Sequence, residues 1–66
     1  MNSYVVVVEQ DEKVSSLKFI DELWARASMS IQTKDHRVTA VSLFCDSVLI
    51  EKHEKIEGVW QKTFKA

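Results

Sequence analysis

A chain of 66 residues holds one domain, and folding at that size removes only about 60% of the unfolded surface from water, which excludes a deep, walled cleft. Nine Lys and Arg against ten Asp and Glu give a formal net charge of −1, so overall charge supplies no pull toward nucleic acid or an anionic membrane. Hydrophobic residues make up 45% of the chain, with three Phe, two Trp and one Tyr, which is enough for one small core and excludes a disordered segment.

Residues from about Ser3 to Glu9 read as a strand: Val5, Val6, Val7 and Val8 are β-branched, too short a run to span a bilayer, and lack the basic start of a signal peptide. Because side chains alternate across a sheet, these valines face both ways, as in a central strand. Gln10 to Lys13 is a charged connection. The stretch from Ser15 to Ser28 carries Leu17, Ile20, Leu23, Trp24 and Ala27 at helical spacing, with Phe19 beside them. This predicts a helix capped by Ser15, stapled by Val14 against Phe19, and burying Leu23 and Trp24 over the sheet. Hydroxyl and β-branched residues after Ala27 end it, and Thr33 to Arg37 is a polar loop.

A second strand is expected over Arg37 to Cys45, with Thr39, Val41, Leu43 and Cys45 on one face, followed by a tight turn at Asp46-Ser47. Val48 to Lys55 alternates as a third strand. Glu57-Gly58 is a turn, since Gly58 is the sole glycine, and Val59 to Lys65 is a fourth strand with Trp60 and Phe64 on one face. The resulting fold is α+β: a single domain over residues 1–66, in the order β-α-β-β-β, with one helix packed on a mainly antiparallel sheet. Val48, Leu49, Ile56, Val59, Trp60 and Phe64 also fit an amphipathic helix at about 47–64. A β-α-β-α fold is the alternative, although Gly58 would cost that helix about 1 kcal/mol.

Residues that could carry chemistry are sparse. His36, Cys45, His53, Asp35, Asp46 and Glu54 include the possible metal ligands, but no closely spaced Cys or His pair presets two of them, so no metal is expected. Cys45 with either histidine meets the inventory of a cysteine hydrolase without a recognisable catalytic spacing, and no enzyme activity or cofactor is expected. One glycine cannot supply a phosphate loop. The lone cysteine excludes an internal disulfide and points to a reducing compartment, the cytoplasm.

Two surfaces remain as binding candidates. Glu9, Asp11, Glu12, Asp21 and Glu22 form an acidic cluster that could engage a basic partner, or could answer the helix dipole. Lys52, Lys55, Trp60, Lys62 and Lys65 could contact nucleic acid on the last hairpin, but Glu51, Glu54 and Glu57 are interleaved with them as on an ordinary solvated face. One helix covers one face of a sheet, whereas the first two strands are apolar on both, so apolar surface is left open. The expected function is a non-catalytic protein-protein interaction module, a small adaptor or inhibitor that occupies a partner's surface and forms a homodimer. A nucleic-acid-binding regulator is the alternative, and no membrane association is expected.

Overall fold

In the computed structural model, which describes residues 2–66, one helix packs against a five-stranded antiparallel sheet. The elements are β1 (Tyr4–Gln10), β2 (Lys13–Phe19), α1 (Glu22–Gln32), β3 (Val38–Cys45), β4 (Val48–Ile56) and β5 (Val59–Lys65). In space the strands run β2-β1-β3-β4-β5, so the valine-rich β1 is interior, as its two-faced apolar pattern requires. The α+β class, the single helix and the succession of three strands after it agree with the sequence. One further strand, β2, lies between β1 and the helix.

β2 occupies the segment expected to open the helix, and this is the main correction. Val14 is exposed in the strand rather than stapled to Phe19, and the cap is Asp21, whose carboxylate accepts from the Leu23 N–H at 2.8 Å. Tyr4 pairs with Phe19 and Gln10 with Lys13, so the Asp11-Glu12 turn folds β2 back along β1 and satisfies the edge of β1 that a helix would have left bare. At its other end the helix continues through Met29 to Gln32, because Met29 is buried against the sheet and that burial outweighs the poor propensity of its neighbours.

The core consists of Tyr4, Val6 and Val8 from β1, Val38, Val41 and Leu43 from β3, and Ala25 and Met29 from α1. Ala25 is fully buried, so the helix meets the sheet through a small side chain and lies close to it. α1 packs over β1, β3 and, more lightly, β2, leaving β4 and β5 to extend beyond it. Three bulges set which residues share a face. An extra residue at Thr39 keeps Val38 as well as Val41, Leu43 and Cys45 on the helix side, one at Ile50 lets Ile50 pack at the core margin, and one at Thr63 separates Trp60 from Phe64. Trp60, paired with Lys55, faces the helix side; Phe64, paired with Lys52, faces away, contrary to the simple alternation expected for that strand.

The C-terminal helix at 47–64 is excluded by β4 and β5, joined by a two-residue turn with φ of 52° at Glu57 and 81° at Gly58. Asp46 and Ser47 form the corresponding turn between β3 and β4, with φ of 50° and 70°. Left-handed pairs of this kind match the twist of antiparallel strands. Asp46 holds its conformation by bonding both ways to Ser3: its carboxylate accepts from the Ser3 N–H at 2.9 Å and its N–H donates to the Ser3 carbonyl at 2.8 Å.

Candidate functional site

The helix is turned the opposite way from the expected one. Its buried residues are Ala25 and Met29, and its larger apolar side chains point to solvent: Leu23 is 75% exposed, Trp24 67% and Ile31 65%, with Ile20 just before the cap at 81%. At about 100° per residue, Leu23, Trp24, Ala27 and Ile31 fall on one stripe centred on Ala27, facing directly away from the sheet, and Ile20, before the extended cap residue, lies with Trp24 at its N-terminal end. A groove of about 430 Å³ runs beside it, walled by Phe19, Ile20 and Trp24 and closed by Ser3, Lys18 and Asp21. The core reading of Leu23 and Trp24 is thereby overturned. Periodicity identifies an apolar face but not the direction in which it points.

The sheet face remote from the helix is the second open apolar surface. Strand register places Val5, Val7, Phe44, Leu49 and Phe64 on it, with Val59 at its far corner. Lys52 crosses its middle, 3.7 Å from Glu9 and 3.8 Å from Glu54. The sequence predicts uncovered apolar surface from some of Val5 to Val8 and some of Val38, Ala40, Phe44 and Leu49; Val5, Val7, Phe44 and Leu49 lie on this face only partly buried, whereas Val38 and Ala40 are buried.

Between α1 and the β4–β5 hairpin lies a cavity of about 310 Å³. Glu51, buried on its floor, accepts from His53 Nε2 at 2.6 Å and from Arg26 Nη1 at 3.2 Å, and Arg26 Nε also donates to Glu22 at 2.8 Å. The His53 hydrogen bond holds the Glu51 carboxyl below the usual carboxylate range; burial acts the other way, and Arg26 adds to the lowering. The Trp60 indole N–H donates to the Thr33 carbonyl at 3.0 Å, and Lys55 Nζ sits 5.6 Å from its ring centre. This cluster ties the hairpin to the helix. Its polar groups bond to one another, and the hydroxyls of Ser30 and Thr33 line the same cavity, that of Thr33 donating to the Ser30 carbonyl at 2.8 Å.

The sequence candidates distribute unevenly. Lys55, Trp60, Lys62 and Lys65 share the helix side of the hairpin, while Lys52 is on the opposite face. The interleaved acids are sorted by the same alternation, for Glu54 goes to the far face, Glu57 into the turn, and Glu51 into its bonds with Arg26 and His53. The five acidic residues are not one patch. Asp11 and Glu12 are at one end of the β1–β2 hairpin and Asp21 and Glu22 at the other, separated by β1, about 20 Å of strand, and Glu9 is drawn to Lys52. Asp21 and Glu22, rather than Asp11 and Glu12, answer the helix dipole.

No family model, curated protein or solved structure matches the chain. Function is therefore read from geometry alone. Cys45 closes β3 opposite Val48, whereas His53 is opposite Val41, four residues along β3, so the topology separates the cysteine from that histidine. His36 lies in the loop after α1, its carbonyl accepting from Lys55 Nζ. Among the described residues no three His, Cys, Asp or Glu side chains gather into a metal-holding group, and no helix is long and apolar enough to cross a membrane. The residues that sequence reasoning missed are Ile31 and the outward setting of Ile20, Leu23 and Trp24. The available signal was Asp21 followed by Glu22, a cap and an acidic first turn that start a helix six residues later than Ser15 does.

Proposed function

We propose that this chain is a non-catalytic protein-protein interaction module of the adaptor or inhibitor kind, acting in the cytoplasm by occupying a partner's surface. The observation that carries the reading is the outward stripe of α1: Leu23, Trp24 and Ile31, with Ile20 just before the cap, lie exposed on the outside of a domain whose core is formed without them. Such a row is unfavourable in water and is a common mark of a surface that another molecule covers. The far sheet face adds a second apolar surface on the opposite side of the same sheet, so the module can hold two partners at once. Asp21 lies beside Ile20 and Trp24 and would steer a partner with a basic group next to its apolar anchors, whereas Glu22 is paired with Arg26.

Affinity capture from the native host, with the tagged wild type and variants compared by mass spectrometry, tests the reading. A discrete protein held by wild type, Cys45→Ser, His36→Ala and His53→Ala, but lost from Leu23→Lys or Val7→Lys with the fold intact by circular dichroism, is the expected result. Loss in the cysteine or histidine variants, with both lysine variants still binding, would replace an interaction surface by chemistry at those side chains.

One observation favours a second reading, binding to nucleic acid. Lys55, Lys62 and Lys65 share a face and none of them makes an ion pair among the described residues. Three phosphate contacts give a salt slope of about −2 to −3, which a binding titration at several salt concentrations measures directly. Trp60 is a poor stacking platform, because its N–H is engaged by Thr33 and Lys55 lies over its ring. The protein-binding reading stands ahead for that reason.

A further inference from the structure

We propose that a second copy of this chain occupies the outer face of α1, its own α1 running antiparallel across a two-fold axis beside Ala27. The inference deepens the interaction-module reading and rests on it.

The pattern of the stripe selects this occupant. A two-fold interface must be its own complement, so a residue a given number of places before the axis meets the one equally far after it in the other copy. Counted from Ala27, Leu23 stands opposite Ile31, Trp24 opposite Ser30, and Ile20 opposite Lys34, all of them exposed in the single chain. Apolar thus meets apolar, the largest ring meets a small residue that leaves it room, and Ile20 lies along the methylene stem of a lysine whose ammonium reaches water. Ala27 at the crossing removes bulk where the two backbones come nearest, which allows an axial separation near the short end of about 8–10 Å.

Charge is complementary in the same arrangement. The Asp21 carboxylate caps the helix start through one oxygen, and Lys34, just past the helix end, makes no ion pair among the described residues. Antiparallel packing sets Asp21 of each copy beside Lys34 of the other. α1 has no basic residue in its last turn, and the second copy brings the positive start of its helix alongside. The other routes to self-association are obstructed. Edge strand β2 carries Lys13 and Lys18 and edge strand β5 carries Lys62 and Lys65, charges that oppose strand-to-strand pairing, while the far sheet face has the Glu9, Lys52 and Glu54 group across its middle.

Sedimentation velocity over the micromolar range, joined to cysteine cross-linking in a Cys45→Ser background, tests the proposal. Ala27→Cys is expected to yield a disulfide-linked dimer on mild oxidation. Ile20→Cys alone is expected to yield none, since its two copies lie about 20 Å apart along the antiparallel pair. An equal mixture of Ile20→Cys and Lys34→Cys chains should cross-link to each other. Leu23→Lys should raise the dimer dissociation constant by at least about tenfold while keeping the far-ultraviolet circular dichroism of the wild type. A wild-type monomer throughout the range, or a dimer that Ala27→Cys does not cross-link, overturns the proposal. If the wild type is monomeric but Leu23→Lys still abolishes capture of a host protein, the second copy is refuted as occupant while the interaction-module reading survives; if capture is also unaffected, the stripe has no part in either.

Discussion

Arg26 on α1 donates to Glu51 on β4 across 3.2 Å, joining the helix to a strand that its body does not cover. His53 completes the group from the same strand at 2.6 Å. The hairpin beyond the helix is therefore held by polar contacts, with Trp60 to Thr33 as a second tie. Removing the shared acceptor should loosen it. Glu51→Ala is expected to cost about 1–2 kcal/mol by chemical denaturation, the scale of hydrogen bonds to charged groups reduced because the Arg26 side chain is 43% exposed and partly solvated.

The same carboxylate gives a pH dependence of definite sign. Glu51 is held below its ordinary range by His53 and Arg26, and Asp35 is lowered to about 2 by the hydrogen bonds from the Arg37 side chain and backbone. Folded values below the unfolded ones mean that the folded state binds fewer protons, so this stabilisation is fully present above the unfolded carboxylate range near pH 4 and is lost as pH falls through the folded values. Melting temperature should decline from about pH 4 downward, and Glu51→Gln and Asp35→Asn should each flatten that decline. An acid limb as steep in both variants as in the wild type would remove these two groups as its cause.

Core and stripe should respond to truncation in opposite ways. Leu43→Ala empties a fully buried site between β1, β4 and the helix and is expected to cost about 2–5 kcal/mol. Trp24→Ala removes a larger side chain from the outside of α1 and should change the stability of the monomer by no more than about 0.5 kcal/mol. Denaturant titration at concentrations too low for self-association compares them. Equal losses would return Trp24 to the core.

The turns offer a local check. Ser47 holds φ at 70° without being glycine, and Ser47→Gly converts the turn to the Asp-Gly pair preferred there, for an expected gain of about 0.5–1 kcal/mol. Gly58→Ala meets no atom within 4 Å of the added Cβ, so any loss is that of its φ of 81° alone, about 1–2 kcal/mol. Thermal melts of the two variants should shift in opposite directions.

Four of the five strands and two of the tight turns were legible in the sequence because β-branched runs and the Glu57-Gly58 signal act locally. β2 was not, since Leu17, Ile20, Leu23 and Trp24 share a helical period that runs unbroken through a strand, a cap and a helix start. An edge strand with one shallowly packed face needs few apolar residues and leaves a weak alternation to read. The candidate site was legible in composition but not in direction. Leu23 and Trp24 stand out in either orientation, and only the buried pair Ala25 and Met29 decides which side of the helix meets the sheet. The bulge at Thr63, which parts Trp60 from Phe64, has no signature in the residues around it.

The fluorescence of Trp24 in a Trp60→Phe chain tests most directly whether the outer face of α1 is a solvent-facing surface that another molecule covers. At nanomolar concentration its emission should be that of an indole in water, open to acrylamide quenching, and on raising the concentration it should shift to the blue and become protected as a second copy covers it. Emission that is already blue-shifted and shielded at the lowest concentration would place Trp24 inside the monomer and contradict the outward-facing stripe.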